Sequence, residues 1–209
     1  MPSKSLAPIK KTFLAEVARQ RRFIAKAQKY QVPVGRQFRA LKPAELESIA
    51  EMVFLRMFLA WEHFLEQSFL SYMCGRKDRK VKIQCFVVFP SIQHAANLII
   101  PEGRRYAEWS EPEIVRQRAE RYFKDGEPFK SALGGVSGQV EEMRKVRNSI
   151  AHKSKHAREK FEQVVRQALG TVPRGITPGA FLLRRIAGPR TNFETYSEVL
   201  TIASTRIIS

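Results

Sequence analysis

At 209 residues the chain suits one domain and is long enough to bury a proper core, and its 44% apolar content is that of a globular protein. The charge balance is not ordinary: 37 Lys+Arg against 20 Asp+Glu leave a formal +17 and a pI near 10.3. Such a field gathers polyanions, with nucleic acid expected ahead of membrane headgroups or an acidic protein, while two cysteines without CxxC spacing exclude a thiolate zinc site.

Met1-Pro2-Ser3-Lys4 is followed by no continuous apolar leader, and a cytoplasmic protein with reduced, buried Cys74 and Cys85 is expected. Residues 5–30 read as a helix with Phe13, Val17, Ile24 and Ala27 on one stripe. Lys10, Lys11, Arg19, Arg21, Arg22, Lys26 and Lys29 decorate the remainder, and Pro33 and Gly35 close it. Pro43 opens a second helix, at a first-turn position where its missing N–H does no harm. This helix runs to about Cys74, ~30 residues or about 45 Å. Phe54, Leu55, Phe58, Leu59, Trp61, Phe64, Leu65, Phe69 and Leu70 make it apolar on nearly every face, as the long central helix of a bundle would be. Arg56, Glu62, His63 and Glu66 interrupt it, so it is expected in a core and not across a membrane.

Gly75 to Lys82 is a basic connector, and alternation of Val81, Ile83, Cys85 and Val87 fits one short extended segment. Short helices follow at Pro90 to about Asn97 and at Glu111–Phe123, the second stopped by Asp125-Gly126. Gly134-Gly135 and Ser137-Gly138 mark a loop, after which Val140, Met143, Val146 and Ile150 keep helical spacing. Ala157, Phe161, Val164, Val165 and Ala168 extend a helix over His152–Leu169, ended by Gly170 and Pro173. Thr177-Pro178 caps a short helix to Ala187, Gly188-Pro189 breaks it, and Phe193, Tyr196, Leu200, Ala203 and Ile207 form the last. The fold class is all-α: a helical bundle with a long central helix, in a single domain spanning 1–209.

The chemistry concentrates where the chain reads Arg144-Lys145-Val146-Arg147-Asn148-Ser149-Ile150-Ala151-His152-Lys153. Arginine neutralises non-bridging phosphate oxygens through its planar donor fork, and histidine moves protons near neutral pH. Val146, Ile150 and Ala151 are expected to hold the segment against a core. Five residues turn a helix by about 140° beyond a full turn and advance it about 7.5 Å, so Arg147 and His152 do not share a face of one straight helix. Either the helix breaks between them or each side chain serves a site assembled with another copy.

An Arg-Asn pair followed by three residues and a His resembles the signature of the HEPN superfamily. Trp61-Glu62-His63-Phe64 within a long apolar helix, the helix after the motif and the terminal helix Phe193–Ile208 extend the likeness over roughly residues 5–208. In this it is similar to stand-alone bacterial HEPN proteins of the MAE or RiboL-PSP type. The resemblance implies a homodimer whose two motifs meet across a two-fold interface. It also implies a metal-independent endoribonuclease without a cofactor, in a toxin or antiphage role with an antitoxin or defence-system protein as a further partner. Other members of the superfamily have lost activity and act as scaffolds, so a non-catalytic module binding RNA, nucleotide or protein is the alternative.

For the ribonuclease, the expected chemistry is attack by the RNA 2′-hydroxyl. His152 removes the proton, a second donor such as the partner copy's motif histidine protonates the 5′-oxygen, and Arg147 stabilises the charge on phosphorus. Asn148 donates to the phosphate or orients the imidazole, and Glu62 is expected to pair with Arg147 or orient His152. Products are a 2′,3′-cyclic phosphate and a 5′-hydroxyl, and DNA is excluded. Arg144, Lys145, Lys153, Lys155, His156, Arg158 and Lys160 are the expected RNA contacts, through phosphate charge and not base readout. His152, His156 and Glu159 share helical spacing for a metal, but the run His-Lys-Ser-Lys-His lacks the zincin glutamate and crowds the position with lysines, so no metal is expected. There is no P-loop and no Gly-x-Ser-x-Gly elbow.

Overall fold

A computed structural model describes residues 5–30, 41–78, 83–100, 107–186 and 188–209. Among the described residues there are nine α-helices and no β-strand. They are α1 (Ala7–Lys29), α2 (Pro43–Met73), α3 (Ile92–Ile99), α4 (Pro112–Tyr122), α5 (Phe129–Gly134), α6 (Ser137–Ala151), α7 (Lys155–Leu169), α8 (Pro178–Leu183) and α9 (Asn192–Ile207). The all-α reading therefore holds. None of these helices is long and apolar enough to cross a membrane. The turn at Pro33-Gly35, the basic stretch through Lys82 and the helical stop at Ala187 involve residues outside those described.

The chain sorts into two compact units, one of residues 1–14, 60–141 and 199–209, the other of residues 15–59 and 142–198. The boundaries fall inside α1, α2, α6 and α9. In the first unit Phe69 anchors an aromatic cluster, with ring centroids 4.8 Å from Phe123, 4.9 Å from Phe129 and 5.4 Å from Trp109. Tyr72 also packs on Phe123 and Phe129 and donates its hydroxyl to the Ile207 carbonyl at 2.7 Å. The Lys10 ammonium reaches the neighbouring Ile208 carbonyl at 2.7 Å, so the start of α1 and the end of α9 are tied within this unit.

The alternating segment after Ile83 forms no strand. It makes one antiparallel bridge, Cys85 with Phe123, flanked by Lys124 N–H to Gln84 O and Phe86 N–H to Tyr122 O. The end of α4 supplies the partner, but only for three residues. Val81 lies outside the described residues. Both cysteines are free and partly exposed, not buried. Burial still pushes their thiols upward, Cys85 to about 11. They are therefore poor thiolates at neutral pH.

In the second unit the stripe Val17, Ile24 and Ala27 is buried as its spacing dictates, and so are Phe54, Phe58, Phe161, Phe181 and Phe193. The central helix is less enclosed than its composition implies: Met52 is 45% and Leu59 53% exposed, leaving one flank of α2 open. Helix α8 begins hard against α2. Thr177 caps it, accepting the Ala180 N–H and donating to Glu47 Oε2 at 2.7 Å, while the Gly179 N–H donates to Glu51 Oε1 at 2.9 Å. A Cβ at Gly179 would stand 2.3 Å from the Glu47 carbonyl oxygen, so the contact requires glycine. Helix α8 is shorter than expected because the chain leaves it at Arg184 to bridge Arg185 to Thr191. Thr191 and Glu194 then form a capping box for α9, each bonding the other's backbone N–H.

Candidate functional site

Helix α6 places the motif. Val140, Met143 and Val146 are essentially fully buried and fix the helix by one face. Past Val146 the core contact fades: Ile150 is partly exposed and Ala151 exposed, so those two do not hold the segment down as expected. Helical hydrogen bonding persists to the His152 N–H, which donates to the Asn148 carbonyl at 2.9 Å, and then stops. The reason lies two residues on: Ser154 turns extended and its hydroxyl accepts the Ala157 N–H, capping a new helix. His152 thus stands exposed in the link between α6 and α7, not at the head of a His152–Leu169 helix.

His152 lines a shallow depression of about 310 Å³ with Ser149, Lys153, Ser154, Lys155, Arg158, Phe161 and Pro178. No carboxylate lines it. The Ser149 hydroxyl donates to the Val146 carbonyl, and Phe161 and Pro178 give the depression an apolar part. The first turn of α7 carries Lys155 and His156 and no acid. That is the reverse of what the positive end of a helix dipole favours, and it suits an anion seated there. Of the cations expected to contact RNA, Lys153, Lys155 and Arg158 line the depression, whereas Arg144, Lys145, His156 and Lys160 do not.

Arg158 is anchored as well as exposed. Its Nε bonds Glu162 at 2.6 Å, its Nη1 donates to the Ile176 carbonyl at 2.9 Å, and its guanidinium lies 5.6 Å over Phe161. It ties α7 to the segment leading into α8, so it forms a fixed wall of the depression. Lys155 has Glu159 at 3.9 Å, an exposed and weak pairing. Glu159 is thereby turned toward a lysine. Among the described residues no cluster of three or more His, Cys, Asp or Glu side chains is placed to hold a metal ion.

Arg147 and Asn148 do not line the depression that His152 does. The Arg147 Nη1 donates to Asn148 Oδ1 at 3.1 Å, so the amide steadies the guanidinium and not the imidazole. Near them Glu142 is half-buried, and desolvation raises its pKa against the lowering influences of Tyr196 and Lys145. Glu62 belongs to the other compact unit, partly exposed on α2, and His63 beside it is exposed with Glu66 at 3.8 Å.

Sequence reasoning missed Ser149, Ser154, Phe161 and Pro178 as walls of the depression. The Ser154 cap was readable from a serine three residues before an alanine in a helical stripe. The inward meeting of Phe161 and Pro178 depends on α8 docking on α7, where Phe161 and Phe181 meet edge to face at 5.8 Å. No protein-family model, no curated protein and no solved structure matches the chain.

Proposed function

We propose that the chain is a HEPN-type, metal-independent endoribonuclease that cleaves RNA through its own 2′-hydroxyl. The observation that carries this reading is an exposed imidazole, His152, set in a carboxylate-free basic depression five residues from a guanidinium steadied by its own neighbour. The depression offers phosphate two ammonium groups and a helix N-terminus, and the imidazole is the one side chain there suited to moving a proton at neutral pH. Its volume sits at the low end of ligand pockets, roughly 300–1,000 Å³, which suits a nucleotide unit entered from an open side.

Arg147 stands outside that depression, and this fits a site completed by a second copy, whose Arg147 would reach the phosphate held beside the first copy's His152. The open flank of α2, with Met52 and Leu59, is an apolar surface for such a two-fold contact. The same separation also favours the second reading, a non-catalytic helical module that binds RNA, nucleotide or protein through the basic depression alone.

Cleavage of labelled single-stranded RNA in EDTA decides between them. The expected result is cutting with a 2′,3′-cyclic phosphate end, reduced about 10²-fold or more in both Arg147→Ala and His152→Ala. Mixing the two inactive variants should restore part of the activity if the site is shared between copies. RNA binding without cleavage by any of the proteins would establish the module instead.

A further inference from the structure

Helix α1 carries seven cations and a single acid over its 23 residues. The acid, Glu16, is occupied by Arg19 at 2.5 Å and by the Gln20 amide. The buried stripe of the helix uses Val17, Gln20, Ile24 and Ala27. Away from that stripe stand two large aromatic side chains, Phe23 at 49% exposure and Tyr30, on the turn ending the helix, at 44%. They are seven positions apart, two helical turns or about 10 Å along the axis. At about 100° per residue, Arg19, Arg22, Lys26 and Lys29 fall within an arc of about 120° beside Phe23. All of these cations are exposed.

We propose that this face of α1 is a binding track for single-stranded nucleic acid, with Phe23 and Tyr30 stacking bases while Arg22, Lys26 and Lys29 hold phosphates. Stacking needs a base whose face is free, which a duplex hides and a single strand offers. Flexible cations flanking the rings neutralise the backbone that such stacking brings close. At one edge of the track a depression of about 220 Å³ lies between α1 and the start of α9, lined by Arg21 and Arg22 together with the Glu194 carboxylate. Thr191 binds that carboxylate through its N–H and its hydroxyl, and Arg21 attracts it by charge. The inference extends the nucleic-acid reading above but uses none of its cleavage chemistry.

Fluorescence anisotropy tests it, using the full chain carrying His152→Ala and labelled oligo(U), oligo(dT) and duplex of about 12 nucleotides. Phe23→Ala with Tyr30→Ala should weaken both single strands about tenfold or more and leave the duplex little changed, while Phe23→Trp retains affinity. Lys26→Ala with Lys29→Ala should lower the slope of log affinity against log salt by about 1.4. Loss on oligo(U) and oligo(dT) alike supports a track blind to the sugar; loss on oligo(U) alone supports one that also reads the 2′-hydroxyl. Circular dichroism checks that the exposed substitutions leave the helices intact. Unchanged single-strand affinity in the aromatic double variant overturns the proposal, as does an equal loss on duplex. A change in sedimentation with affinity unchanged would assign the face to a second copy of the chain. A protein that binds strands through this face but cuts no RNA keeps the track and removes the nuclease.

Discussion

Of the described glycines, Gly179 has the least freedom to change. Its Cα faces the α2 backbone so closely that alanine would drive a methyl into the Glu47 carbonyl, and backbone has no rotamer to yield. Gly179→Ala should lower stability by about 1–3 kcal/mol in urea unfolding, at the upper end of that span if α8 cannot slide. Glu51, which accepts the Gly179 N–H, shows how pH acts on the same contact. Desolvation raises its pKa above the usual 4.5, the Gly179 bond opposing and Glu47 adding to the rise. The folded chain therefore holds a proton that the unfolded chain has released just above pH 4.5, and stability falls as pH climbs through that window. Glu51→Gln keeps an oxygen for Gly179 and removes the charge. It should match the parent near pH 4 and exceed it at pH 7. Urea midpoints at the two pH values check this, and a variant that is relatively weaker at pH 7 would refute it.

Among the elements, those whose burial follows from local spacing were legible in the sequence: α1, α2, α4, α7 and α9 begin and end within a few residues of their apolar patterns. What was not legible depended on competition or on distant partners. His152 was expected inside a helix because Phe161, Val164 and Val165 keep their period behind it, but the Ser154 hydroxyl captures the Ala157 N–H and starts the helix three residues later. Helix α5 carries Phe129, Ala132 and Leu133 into the core over only six residues, too few for a period to emerge. Exposure of Phe23 and Tyr30 follows from what α1 packs against, and composition alone is silent on that. The capping box of α9 was present in plain letters, Thr191-Asn-Phe-Glu194, and matters energetically. Glu194→Ala should cost about 1 kcal/mol at neutral pH, read as a fall in the thermal midpoint. Most of that effect should vanish below the lowered Glu194 pKa, where protonation weakens the carboxylate as an acceptor.

For the molecule as a whole, ten of the 37 Lys and Arg side chains fall in two described places, three lining the depression beside His152 and seven along α1. Charge alone led to the expectation of a polyanion, while its local arrangement had to be seen. The candidate site was legible as a motif and as a basic run. The division of labour within it was not, because Arg158 is committed to Glu162 and the Ile176 carbonyl and Asn148 to its neighbouring arginine.

The ties that Lys10, Tyr72 and Asp78 make to the backbone of residues 207–209 also bear on how the first unit forms. They join positions 198, 135 and 131 residues apart, so each costs loop-closure entropy before it contributes any stability. Local helix formation along α2 carries no such cost, and the closing of this unit is therefore the step that slows most as the chain between the tied positions lengthens.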